Sequence, residues 1–87
     1  MPTLNFTGLL DIDVYVLWSL LFGQATVRVM SERTMIPARR LLPACNAMVQ
    51  RGLVQEREGT YRLAEMRQTV LWFKETRPGT VFPENLR

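Results

Sequence analysis

Residues 26–63 decide the fold: Thr26-Val-Arg-Val-Met30-Ser-Glu-Arg-Thr-Met35-Ile-Pro-Ala-Arg-Arg40-Leu-Leu-Pro-Ala-Cys45-Asn-Ala-Met-Val-Gln50-Arg-Gly-Leu-Val-Gln55-Glu-Arg-Glu-Gly-Thr60-Tyr-Arg-Leu63. Thr26 is placed to cap a short helix with Val27 and Met30 inward, closing at Arg33. Thr34-Met35 reads as a turn, and Ile36-Pro37 opens a second helix, because a proline in the first turn has no hydrogen bond to lose. Within that helix Leu41, Leu42, Cys45, Met48 and Val49 recur at helical period, and Gly52 ends it. Pro43 has no N–H for the carbonyl of Arg39, which predicts a kink or an irregular first turn. Two short strands follow, Leu53-Val-Gln-Glu-Arg57 and Thr60-Tyr-Arg-Leu63, separated by Glu58-Gly59. An acidic residue and a glycine between such runs make a hairpin turn, since both central positions need positive φ.

Working outward, residues 64–76 form a last helix, with Met66, Val70 and Phe73 on one side and Leu71 and Trp72 beside them. Arg77-Pro78-Gly79 stops it, and residues 78–87, with a second proline at Pro83, read as an extended tail beyond a single domain of residues 1–77. Upstream, Gly8 and Gly23 bracket an apolar helix whose start carries Asp11 and Asp13, well matched to the helix dipole. Its apolar run, Val14 to Phe22, is well short of the roughly 18–20 residues that a membrane span needs. It is apolar nearly all round, and 87 residues offer little protein to cover every side. That surplus predicts a homodimer through the first and last helices, with Tyr15, Trp18, Phe22, Val70 and Phe73 at the interface.

The inventory excludes several chemistries. With no histidine and one cysteine, a tetrahedral zinc site, a histidine-containing triad and a disulfide framework cannot be built within one chain. No nucleophile–base pair or glycine-rich phosphate loop is present, and Asp11 and Asp13 point to different sides of a helix. The reading is therefore of a binding protein without enzyme activity or cofactor. The lone cysteine and the lack of a cleavable signal pattern make the cytoplasm the default expectation.

Charge is uneven along the chain. Ten of the eleven basic residues are arginine, which makes bidentate contacts to phosphate, carboxylate and guanine edges. Residues 1–24 carry only Asp11 and Asp13, a balance of −2. Residues 25–62 carry seven arginines against Glu32, Glu56 and Glu58, a balance of +4. The formal +3 of the whole chain is thus concentrated in the stretch that decides the fold.

That stretch resembles the winged helix-turn-helix domain of bacterial transcription regulators, the MarR-like and related repressors. The match runs through Thr26, Met30, Arg33 and Ile36-Pro37, then Leu41, Cys45, Met48 and Gly52-Leu53-Val54, and ends on Gly59-x-Tyr61-x-Leu63. It implies a mainly α fold with a small β-hairpin. The helix-turn-helix would occupy residues of about 25–52, the wing about 53–63 and a C-terminal helix about 64–76. It further implies sequence-specific binding of double-stranded DNA, with the helix near residues 36–51 in the major groove. Arg39 and Arg40 would read guanine edges, and Asn46 and Gln50 adenine edges. Thr26, Arg28, Arg57 and Arg62 would hold phosphates and set register. Some regulators of this fold carry three cysteines for an iron–sulfur cluster; this chain has one, so that activity does not carry over.

Three residues depart from the pattern. Met35 stands where such domains place glycine, Val29 where a polar residue is usual, and Pro43 interrupts the second helix. They suit a divergent regulator, or alternatively a protein-interaction module of phage or mobile-element type that docks on a host complex. Cys45 lies on the apolar stripe and reads as a small core residue.

Overall fold

A computed structural model describes residues 4–87. The elements are α1 (Asp11–Leu20), β1 (Ala25–Thr26), α2 (Val27–Thr34), α3 (Ala38–Gln50), β2 (Val54–Arg57), β3 (Thr60–Leu63) and α4 (Met66–Thr76), followed by a 3-10 turn at Glu84–Leu86. The architecture is mainly helical, with a small antiparallel sheet in the order β1-β3-β2. The hairpin reading holds: Arg57 faces Thr60 across Glu58 and Gly59, both with positive φ, as a tight two-residue turn demands. The strand β1 has no sequence signal. It is a strand only because Ala25 pairs with Tyr61 and Thr26 with Thr60.

Thr26 does cap α2; its hydroxyl accepts the N–H of Val29 at 3.3 Å. The turn to α3 is closed by polar side chains. Ser31 Oγ donates to the carbonyl of Ile36 at 2.6 Å, and Thr34 Oγ1 donates to that of Met30 at 2.8 Å. Met35 takes the left-handed conformation at φ +63°, the geometry for which glycine is the usual choice. Pro37 serves as the N-cap position of α3, so that helix begins at Ala38.

Pro43 does not interrupt α3, which runs from Ala38 through Gln50. Both Pro43 and Arg39 are exposed, so the carbonyl that Pro43 leaves unpaired lies on the solvent side, where water can satisfy it. The irregularity is confined to the start, where Arg40 and Leu41 both donate to the carbonyl of Pro37. The buried face of α3 is Leu41, Ala44, Cys45 and Met48; Leu42, expected on that stripe, is exposed, because at about 100° per residue it falls outside the arc those four span.

The core joins Val16, Leu17 and Leu20 of α1 with Met30, Leu41, Met48, Leu53 and Phe73, each at most 1% exposed. At the start of α1 the carboxylate of Asp13 is buried and accepts the N–H of Leu10 at 2.9 Å. At the other end Arg33 donates through Nη1 to the carbonyls of Ser19 and Gly23, both at 2.8 Å. A cation there complements the negative end of the helix dipole.

Residues 78–87 are not a separate extension. Trp18 Nε1 donates to the carbonyl of Val81 at 3.0 Å, and the Phe82 ring meets Phe73 edge-on at 6.4 Å between centroids. The segment before α1 folds back as well. Phe6 stacks on Trp72 at 5.0 Å, and Arg51 Nη1 donates to the carbonyl of Thr7 at 2.6 Å. Much of the apolar surplus of α1 and α4 is therefore covered by the chain's own ends. The expected dimer surface changes accordingly. Phe73 is 1% exposed and belongs to the core, because α1 and the tail close over it. Val70, one turn before Phe73, is half-buried against the core and lines a separate depression with Leu71 and Leu86. Tyr15 and Phe22 remain exposed, and Trp18 is half-buried.

Candidate nucleic-acid interface

The outward side of α3 follows from its buried arc. At 100° per residue, the direction opposite Leu41, Ala44, Cys45 and Met48 is occupied by Arg39, Pro43, Asn46 and Gln50. All four are exposed, with Arg40, Ala47 and Arg51 on one flank and Leu42 on the other. Arg39, Asn46 and Gln50 thus fall on one stripe, and Arg40 stands beside it. From Ala38 to Arg51 there is no carboxylate. Two arginines in the first turn oppose the positive end of the helix's own dipole, a local electrostatic conflict that an anion at this end would relieve.

A second basic face lies on the sheet. Gln55 pairs with Arg62 and Arg57 with Thr60, and cross-strand partners share a face, so both arginines project to the same side. Gln24, Gln55, Thr60 and the two arginines line a shallow depression of about 640 Å³, with Glu56 and Glu58 at its tip end. Arg62 Nε donates to Gln55 Oε1 at 2.9 Å, which holds its guanidinium over the sheet. The carboxylate of Glu56 accepts the N–H of Gly59 at 2.7 Å, so it stabilises the turn as well as adding negative charge there. Thr26, opposite Thr60 in β1, stands at the edge of this face, and its hydroxyl is already engaged as the cap of α2. Arg28 is exposed on α2 and lies 4.0 Å from Glu32, a loose surface pair. β2 packs against α3, which places the hairpin beside that helix.

The seven arginines of residues 25–62 therefore divide by role. Arg33 and Arg51 hold backbone carbonyls and serve the fold. Arg28 and Arg62 have polar neighbours on the surface. Among the described residues, no hydrogen bond or ion pair engages the side chains of Arg39, Arg40 or Arg57. Sequence reasoning missed the tasks of Arg33 and Arg51, because their partners are main-chain carbonyls 10 to 44 positions away.

Cys45 sits on the buried face of α3 with its Sγ 4.0 Å from Met30 Sδ. Burial pushes its thiol up to about 11, so the thiol stays protonated and inert near neutral pH. Tyr61, beneath the sheet, is likewise shifted upward, first by burial and then by the nearby Cys45 and Glu56. Among the described residues no helix is long and apolar enough to cross a membrane. No protein-family model matches the chain, and neither does any curated protein or solved structure.

Proposed function

We propose that the protein binds double-stranded DNA in a sequence-specific manner as a small transcriptional regulator, with α3 in the major groove. The observation that carries this reading is the solvent-facing stripe of α3. It has Arg39 at its N-terminal end with Arg40 beside it, amides further along, no carboxylate, and no side-chain partner for either arginine among the described residues. Arginine at a guanine edge and asparagine or glutamine at an adenine edge each make two parallel hydrogen bonds. Arg57 and Arg62 on the sheet supply phosphate contacts that fix register. The arrangement of helices around a sheet ordered β1-β3-β2 suits a winged helix, in which the hairpin beside α3 is the wing.

The test is selection of bound sequences from random duplex DNA, followed by titration of the enriched site. The double variant R39A/R40A is expected to lose about 2–4 kcal/mol of specific binding while remaining folded. Affinity for the enriched site is expected to fall steeply as salt rises, from counterion release. Absence of any enriched sequence, together with an unaffected double variant, would defeat this reading.

A second reading has its own observation. Met35 is 86% exposed at the turn before α3 and Leu42 is 45% exposed on α3, apolar surface that a phosphate backbone does not use. On this reading the same face, with Pro43, docks on a host protein complex. Binding to cell extract that survives high salt and nuclease treatment would favour it over DNA.

A further inference from the structure

We propose that a cleft formed by α1, α4 and the C-terminal tail is a self-association surface, filled by the same surface of a second copy of this chain. The cleft has a volume of about 410 Å³ and lies apart from the basic faces; no residue of α3 or the hairpin lines it. Its floor is Val14 and Phe73, both buried, and its walls are Tyr15, Trp18 and Val81. Tyr15 is 50% and Val81 64% exposed, so two large apolar side chains stand at the edge of an apolar hollow. Phe22, which meets Trp18 edge-on at 4.9 Å and is 39% exposed, continues the apolar surface just past the end of α1.

The rim charges select the occupant. Asp11 lies on the α1 side and Arg77 on the α4 side, and no ion pair joins them among the described residues. The Arg77 guanidinium rests 5.9 Å from the centroid of the Trp72 ring. A partner bearing one sign of charge would match one rim and clash with the other. A two-fold related copy presents Arg77 to Asp11 and Asp11 to Arg77, because an isologous contact pairs each patch with itself rotated by half a turn. The exposed Tyr15 and Val81 of each copy then enter the other's hollow, which buries the apolar surface that the chain's own ends leave uncovered. This surface is independent of the DNA reading, and it replaces Val70 and Phe73 of the expected interface with Asp11, Arg77 and Val81.

Sedimentation of the full chain without DNA, from low micromolar to near-millimolar concentration, tests it. The wild-type mass is expected to rise from one protomer to two. Asp11→Arg and Arg77→Asp should each weaken association about tenfold or more, since each creates two like-charge contacts across the two-fold axis. The combined variant D11R/R77D should restore it. An equimolar mixture of the two single variants should also associate, because each then carries the charges the other needs. Recovery in the mixture shows that both single variants are folded. A wild type that is monomeric throughout, or a dimer indifferent to both reversals, overturns the proposal. A monomer that instead takes up an apolar dye such as ANS in the cleft also overturns it.

Discussion

The indole Nε1 of Trp18 donates to the main-chain carbonyl of Val81 at 3.0 Å, tying the last turn of α1 to a tail 63 residues further along. Through that tie and the Phe73–Phe82 contact, the last ten residues shield the first and last helices. The tail is part of the hydrophobic core's cover, and its loss removes one wall of the cleft and bares Phe73.

Truncation after Thr80 is therefore expected to lower stability by about 2–4 kcal/mol, through re-exposure of Trp18 and Phe73 and loss of Phe82. Urea unfolding followed by tryptophan fluorescence measures it, with a red-shifted folded-state spectrum. The milder Trp18→Phe removes the hydrogen bond and keeps most of the apolar area, and should cost about 1 kcal/mol.

Arg33 ties the C-terminal end of α1 to α2 by donating to two carbonyls. Arg33→Ala should cost about 1.5–3 kcal/mol, because both carbonyls lose a charged donor at the negative end of a helix. Arg39→Ala, on the exposed face of α3, should change stability by less than about 0.5 kcal/mol. Thermal melts of the two variants separate the arginines that hold the fold from those that face outward.

Met35 occupies a left-handed position that a side chain disfavours. Met35→Gly is expected to raise stability by about 0.5–1 kcal/mol, since the relief of strain exceeds the entropy lost by a freer unfolded chain. Equilibrium denaturation checks the sign. DNA affinity should be unchanged, whereas docking through the exposed methionine would weaken.

The Cys45 thiol is raised from 9.0 to about 11 in the folded protein, so the folded state holds its proton where the unfolded state has lost it. Its contribution is whole below pH 9 and disappears as pH rises toward 11, a loss on the order of 2–3 kcal/mol. Tyr61 shifts in the same direction and steepens the alkaline limb. Denaturation midpoints across alkaline pH should fall for the wild type and fall less for Cys45→Ala. At neutral pH, iodoacetamide should label Cys45 only as the protein opens.

Local physics was legible in the order of residues. The Thr26 cap, the Glu58-Gly59 turn, the apolar period of Leu41, Cys45 and Met48, and the concentration of arginine in residues 25–62 each depend on neighbours a few positions apart. From these the helices, the hairpin and the exposure of Arg39, Arg40, Asn46, Gln50, Arg57 and Arg62 could be placed. The left-handed turn at Met35 was half legible, as a departure from glycine without the hydroxyl contacts of Ser31 and Thr34 that close it.

The amino-acid order by itself determined a small histidine-free domain, mainly helical, with its positive charge collected on the middle of the chain. Only the tertiary structure decided which positive charges are free. Arg33 and Arg51 became structural because folding brought main-chain carbonyls of distant segments within reach of their guanidinium groups. It also made Ala25–Thr26 a strand, by pairing two residues too few to show any period with β3. And it turned an expected loose tail into a cover for α1. A single aromatic side chain such as Phe82 has no periodic signal, and its burial depends on where the rest of the chain leaves apolar surface to meet it.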